Sequence, residues 1–268
     1  MPPSQKRDRE PLAFALRATE KTMRISVIIP AFNEARTIRK VITAVQALPL
    51  DIQIIVVNDG SSDETQAVLE GISKELAITV VHYDENRGKG FAIRTGLGHV
   101  KGDVVVIQDA DLELCPDDIL SLVEPLTRRA RLQSASDVHV VYGSRFLNGR
   151  GNASWLNFIA NRLLARWTRV LYGCRITDES TGYKAFSAEL ITRLDLTCEG
   201  FEFCPEVTAK VLRAGYRIHE VPVSYFPRTK KDGKKLRFWS DGLFAAWTLL
   251  KYRFISKTDL FLESDKNL

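Results

Sequence analysis

Residues 24–34 read RISVIIPAFNE, an apolar, β-branched run that stops at a proline and opens into polar residues. A short run of this kind reads as a parallel strand buried on both faces. The pattern then repeats. Glu34 to Ala47 carries Ile38, Val41, Ile42 and Val45 at helical spacing, and Ile52 to Asn58 (IQIIVVN) is a second buried strand. Asp59 to Asp63 turns into a helix ending near Leu76, Ile78 to Tyr83 is a third strand, Gly90 to His99 a helix, and Asp103 to Gln108 (DVVVIQ) a fourth strand. Such alternation predicts an α/β fold with a doubly wound, mostly parallel sheet. Ligands of these sheets bind beyond the carboxyl ends of the strands. Polar clusters stand there in this sequence: Pro30–Glu34, Asn58–Gly60 and Asp109–Asp111.

The second half predicts a short strand at His139–Tyr142 ending in Gly143-Ser-Arg145, and an amphipathic helix over Trp155–Leu171. A short helix at Phe186–Leu194, a helix at Glu206–Ala214 and a last strand at Arg217–Tyr225 follow. A basic loop, Arg228–Arg237, leads to a final helix ending near Phe254. No repeat or linker interrupts the chain. The expected organisation is a mobile N-terminal arm over 1–23, one domain over 24–238, and an amphipathic surface helix and tail over 239–268.

Composition sets the outer bounds. The chain has 268 residues, of which 45% are hydrophobic and 26% charged, enough for a packed core and against global disorder. The net charge of +5 admits anionic partners. Nucleic acid is not expected, because no recognised binding motif accompanies the charge. Cys115, Cys174, Cys198 and Cys204 form no CxxC pair, so free thiols are expected rather than a zinc site. The charged N-terminus reads as neither a signal peptide nor an anchor. Gly242 to Leu250, an apolar stretch near the C-terminus, is well short of the roughly 20 residues needed to span a bilayer.

Three motifs carry chemistry. Asp109-Ala-Asp111 ends an apolar strand, where two carboxylates suit Mg²⁺ or Mn²⁺ completed by phosphate and water. Glu113 offers a third oxygen. Asp59 sits in a turn where a carboxylate can accept hydrogen bonds from a base or ribose. Asn86-Arg-Gly-Lys-Gly90, with Lys89, is a basic glycine loop ahead of a helix, suited to phosphate, although its spacing is not that of a P-loop. On the helix after Arg145, Leu156, Ile159, Leu163, Trp167 and Val170 form an apolar stripe, and Arg162, Arg166 and Arg169 a basic one. Arg228, Lys230, Lys231, Lys234, Lys235 and Arg237 precede a helix with Leu243, Trp247, Leu250 and Phe254 aligned. That combination suits the surface of an anionic bilayer. His82, His99, His139 and His219 fall outside every motif.

Taken in order, PAFNE (30–34), VNDGSSDET (57–65), NRGKG (86–90), QDADLE (108–113), GSRF (143–146), TGYKAF (181–186) and the segment 200–228 resemble family 2 glycosyltransferases of the GT-A fold. Within them they are similar to the polyprenyl-phosphate sugar synthases, typified by dolichyl-phosphate mannose synthase. The resemblance implies that Pro30, Ala31, Asn33, Glu34 and Asp59 hold the nucleoside. It places Asp109, Asp111 and Glu113 at the metal and donor phosphates, Arg145 and arginines of the next helix (Arg162, Arg166) at a lipid phosphate, and Arg228 near the donor phosphate. Glu113 departs from the glutamine common at that position, which adds negative charge.

The implied reaction is inverting transfer of a hexose from GDP-mannose or UDP-glucose to a polyprenyl phosphate, at the cytoplasmic face of a membrane, with a separate membrane-protein partner admitted. An anionic acceptor needs no general base, and the second half is rich in arginine but has no evident base motif. In the competing reading the acceptor is a hydroxyl, and Asp178 and Glu179, before Ser180-Thr-Gly-Tyr183, are the base candidates.

Overall fold

The computed structural model describes residues 23–132, 138–228 and 238–263. Residues 1–22 of the expected N-terminal arm and the basic loop residues Lys230, Lys231, Lys234, Lys235 and Arg237 lie outside them.

Strand β1 (Arg24–Ala31) runs parallel to β2 (Asp51–Asp59) on one side and β4 (Val104–Ile107) on the other. β3 (Thr79–Tyr83) extends the sheet beyond β2. Beyond β4 come β6 (Lys184–Ser187), β5 (Val140–Ser144) and β7 (Ile218–Pro222), giving the order β3-β2-β1-β4-β6-β5-β7. β6 is antiparallel to both neighbours, while β5 and β7 pair in parallel. Alternation along β1 explains its mostly apolar sequence: Ile25, Val27 and Ile29 enter one core, and Ile28 the other, while the buried Ser26 donates to Gln53 Oε1 at 2.7 Å. The first core is closed by α1 (Ile38–Gln46), α2 (Thr65–Glu75) and α4 (Ile119–Leu132); the second by α3 (Lys89–Leu97), α6 (Ala188–Ile191) and α7 (Phe203–Arg213). Helices α5 (Trp155–Tyr172) and α8 (Phe238–Arg253) pack on each other, and α8 packs on α7.

Three features differ from expectation. The segment expected as a helix over Phe186–Leu194 begins as β6 and gives only one helical turn. All four β6 residues are buried, because the strand fills the gap between β4 and β5. Helix α4 is absent from the sequence reading; it carries Pro125 in its interior, where proline removes a helical hydrogen bond. Its apolar positions Ile119, Leu122, Val123 and Leu126 nevertheless pack into the first core. On α5 the apolar stripe faces outward. Leu156, Ile159, Leu163 and Val170 are exposed, and the buried positions are Asn161, Ala165 and Thr168. Small and polar residues seat the helix because the segment beneath is itself polar: the Asn161 side chain donates to Thr177 O at 2.9 Å and accepts from Ser180 Oγ at 2.9 Å. Among the described residues, no helix is long and apolar enough to cross a membrane.

Candidate functional site

A cleft of about 770 Å³ opens beyond the carboxyl ends of β1, β2 and β4, a volume suited to a small-molecule ligand. Pro30, Ala31, Glu34, Asp59, Lys89, Asp109, Asp111, Glu113, Arg145 and Arg228 all line it. Asn33 does not. It adopts left-handed backbone (φ 54°), and its carboxamide oxygen accepts from the Ser62 amide at 2.8 Å. The Asn33 amide donates to Ser61 Oγ at 2.9 Å, so Asn33 ties the first loop to the turn before α2. Arg162 and Arg166 are exposed and lie outside the cleft lining. The structure does not bring them to the other candidates.

Asp59 accepts from the amides of Arg87 (2.9 Å) and Gly88 (2.8 Å) through its two carboxylate oxygens. The Asn86–Gly90 loop is thereby held against the end of β2. Gly88 has φ 103°, and a Cβ there would stand 2.5 Å from Glu199 O; neither constraint admits another residue type. The loop delivers Lys89, whose Nζ is 2.5 Å from Asp109 Oδ1. Burial works against the Lys89 ammonium, but the Asp109 carboxylate outweighs it and the group is held above its ordinary range.

Burial, and secondly the charge of Asp109, push the Asp111 carboxyl up to about 6. Leu112 takes left-handed backbone (φ 61°), uncommon for a leucine, which lets Asp111 Oδ1 accept from the Glu113 amide at 3.0 Å. One Glu113 oxygen accepts from the Arg228 amide at 2.8 Å. Asp109, Asp111 and Glu113 present oxygen donors only, the set preferred by hard divalent cations. Among the described residues, no three or more His, Cys, Asp or Glu side chains form a ready metal cage. Two crowded carboxylates, one reluctant to ionise, fit an ion that draws its remaining ligands from phosphate and water.

Arg228 is carried on a strip whose Phe226 amide donates to Glu113 O at 2.8 Å and whose Ser224 amide donates to Asp118 Oδ2 at 2.6 Å. Its guanidinium grips both Glu34 oxygens and the Asp111 carbonyl. At the other end of the cleft, Arg145 makes a bidentate pair with the fully buried Asp178, 2.7 Å at each contact, and donates to Ser180 Oγ. The base candidate Asp178 is thus committed to the arginine, whose backbone amide also donates to its Oδ2 at 3.0 Å. The sequence reading does not anticipate this pairing; the only signal is the acidic pair Asp178-Glu179 ahead of the loop-forming Ser180-Thr-Gly182.

From Arg145 the cleft continues between α5 and α8, where Leu163, Leu164, Trp167, Leu243, Ala245 and Ala246 line it. Trp167 Nε1 donates to Ala246 O at 3.1 Å and Tyr172 Oη to Leu249 O at 2.5 Å, which fixes the two helices side by side.

The family model described as glycosyl transferase family 2 matches residues 26–191. The chain is 27% identical over 236 residues to polyprenol monophosphomannose synthase of Mycolicibacterium smegmatis, covering 83% of this chain and 85% of that protein. It is 28% identical over 218 residues to dolichol-phosphate mannosyltransferase of Pyrococcus furiosus, covering 79% of this chain but 59% of that protein. Among solved structures, glucosyl-3-phosphoglycerate synthase from Mycobacterium tuberculosis in complex with Mg²⁺ and uridine diphosphate superposes with a TM-score of 0.67 at 25% identity, covering 91% of this chain and 84% of that one.

Proposed function

Because the chain belongs to glycosyltransferase family 2 and has the GT-A fold, we propose that it transfers a hexose from a nucleotide diphosphate sugar to a polyprenyl phosphate. The observation that carries this reading is the shape of the cleft. One end gathers Asp59, Lys89, Asp109 and Asp111; Arg145 stands beyond them; and the far end is an apolar groove between α5 and α8. A soluble hydroxyl acceptor has no use for that groove, whereas an isoprenoid phosphate needs both the arginine and the groove.

In this reading Pro30, Ala31, Glu34 and Asp59 form the nucleoside end. Asp111 and Glu113, with Asp109, would hold Mg²⁺ or Mn²⁺, which when bound neutralises charge on the departing diphosphate. Lys89 and Arg228 add fixed positive charge at the same end. Asp178 holds the Arg145 guanidinium flat and bidentate through Nε and Nη2, so that Nη1, which takes part in neither contact, meets the incoming phosphate. The phosphate oxygen displaces the nucleotide at the anomeric carbon in one inverting step, and no proton has to be removed. The exposed apolar residues of α5 and α8 rest on the bilayer surface, and Arg162 and Arg166 beside them meet its anionic headgroups. This reading assigns the protein to the cytoplasmic face of a membrane, as a peripheral protein alone or beside a membrane-embedded partner.

A second reading has one observation in its favour, the structural likeness to an enzyme whose complexes contain phosphoglyceric acid. There Arg145 would hold the phosphate of a soluble acceptor whose hydroxyl attacks. The test is incubation of the full chain with Mn²⁺, polyprenyl phosphate and labelled UDP-glucose or GDP-mannose, followed by organic extraction. Label in the lipid phase that is lost in Asp111→Ala supports the proposal. Label only on a soluble hydroxyl acceptor overturns it.

A further inference from the structure

We propose that Glu179 reads the hydroxyls of the transferred sugar, an inference that rests on the transfer reading of the cleft. Glu179 borders the cleft, yet its side chain is buried and neither carboxyl oxygen has a hydrogen-bond partner among the described residues. The groups that act on it are engaged elsewhere. Lys184 Nζ donates to the Glu179 carbonyl oxygen at 2.8 Å and stands 3.6 Å from the centre of the Tyr142 ring. Thr208 Oγ1 donates to Cys204 O at 2.8 Å and shares a 2.9 Å bond with Tyr142 Oη. Native proteins seldom leave a buried carboxyl without a partner, and where they do, a water, an ion or a ligand is commonly the missing group.

The place of Glu179 in the chain says which ligand group this is. It lies between two anchored residues. Asp178 holds Arg145 at the acceptor end. Gly182 lies directly on the donor end: a Cβ there would stand 2.3 Å from Asp109 Oδ2 and 2.9 Å from Lys89 Nζ. Between a donor diphosphate and an acceptor phosphate must lie the group being transferred. A carboxyl suits neither phosphate, since like charges would meet in a poorly hydrated site. It suits a neutral polyol. Ionised, it accepts from two neighbouring hydroxyls; protonated, it donates to one and accepts from another. Burial raises the Glu179 carboxyl above the usual range, opposed by the charge of Lys184 and by the nearby Thr208 hydroxyl. Cys204 and Pro205, small and apolar, line the same cleft.

The experiment is calorimetric titration of the full chain in Mn²⁺ with UDP, GDP, UDP-glucose and GDP-mannose, for the unaltered protein, Glu179→Gln and Glu179→Ala. Melting temperatures are recorded alongside. The expected result is nucleoside diphosphate affinity unchanged within about twofold, and nucleotide-sugar affinity weakened about tenfold in Glu179→Ala and less in the near-isosteric Glu179→Gln. Unchanged affinity for nucleotide sugars relative to nucleotides in both variants overturns the proposal, whether or not the melting temperature falls. So does a turnover defect in Glu179→Gln with sugar binding intact, which would make the residue a base. If the unaltered protein binds none of the four ligands, the transfer reading itself has failed, and the assignment of Glu179 falls with it.

Discussion

Arg228 and Glu34 stand 194 positions apart in the chain and meet as a two-toothed pair, Nη2 to Oε2 at 2.7 Å and Nη1 to Oε1 at 3.1 Å. Both are largely buried, with 15% and 9% of their side-chain surface exposed. The same guanidinium donates to the carbonyl of Asp111. One side chain therefore sets the spacing between the loop after β1 and the Asp109–Glu113 loop. Arg228→Ala removes the clamp and leaves Glu34 in a poorly solvated place without its cation. The expected cost is on the order of 1–3 kcal/mol of stability, with weaker binding of UDP or GDP. A double-mutant cycle with Glu34→Gln should show a coupling energy of about 1 kcal/mol or more, read from denaturant melts. Additive effects in the cycle would mean that the pair does not act as a unit.

Asp178 and Arg145 give a second test, one that separates positioning from base catalysis. If Asp178 only orients the guanidinium, Asp178→Asn raises KM for the phosphate acceptor about tenfold and leaves kcat within a few-fold. Adding Arg145→Ala to Asp178→Asn then costs little beyond Arg145→Ala alone, because both act through one group. The pH–rate profile keeps its acidic limb. Near-complete loss of kcat at unchanged acceptor KM would return Asp178 to the role of base.

The first half of the fold was legible because burial on both faces leaves apolar β-branched runs of unmistakable composition, such as Ile52–Asn58, and the helices between them keep a 3.6-residue period. The second half was less so. β6 has only four residues, too few for any period, and its strand state is imposed by β4 and β5 on either side. The stripe on α5 was visible as a stripe, but periodicity does not say which way it faces; the polar bed of Thr177 and Ser180 decides that. Much the same holds for the site. Pro30, Ala31, Glu34, Asp59, Lys89, Asp109 and Asp111 share a cleft because strand ends share an edge, a rule of topology readable from sequence. The pairs Arg228–Glu34 and Arg145–Asp178 and the unpartnered carboxyl of Glu179 are long-range products of packing, with no local signature.

If Asp111 holds the divalent ion as proposed, metal binding is sensitive to pH. Its carboxyl is pushed up to about 6, from 3.8, chiefly by burial. A cation binds the ionised form, so Mn²⁺ affinity should fall about tenfold per pH unit below 6. Stability of the metal-free protein runs the opposite way. The folded state holds its proton more tightly than the unfolded state, so Asp111 lowers stability as pH rises from about 4 through 6. Asp111→Asn removes that burden. It should raise the metal-free melting temperature by roughly 2–6 °C at pH 7 and by almost nothing at pH 4, while abolishing the response to Mn²⁺. An Asn variant that melts at the same temperature as the unaltered protein at both values would show that the carboxyl is not strained.

The outward faces of α5 and α8 provide the last prediction. Leu243, Trp247 and Phe254 are 72%, 61% and 77% exposed, and Leu163 is 64% exposed at the mouth of the cleft. These side chains contribute little to folding, so replacing them should move stability by no more than about 0.5 kcal/mol. Their removal from water should matter only when a bilayer takes them up, at about 25 cal/mol per Å² of apolar surface. Trp247→Glu with Phe254→Glu should therefore leave the melting temperature and nucleotide affinity unchanged, and lower co-sedimentation with vesicles containing anionic lipid by tenfold or more, on the order expected from losing two large apolar contacts. Arg162→Glu with Arg166→Glu should weaken the same binding in a salt-dependent way, by about 1 kcal/mol for each cation lost. Transfer to a detergent-dispersed polyprenyl phosphate should survive the Trp247 and Phe254 changes better than transfer in vesicles. Equal losses in both formats would place these residues at the acceptor chain itself rather than at the membrane surface.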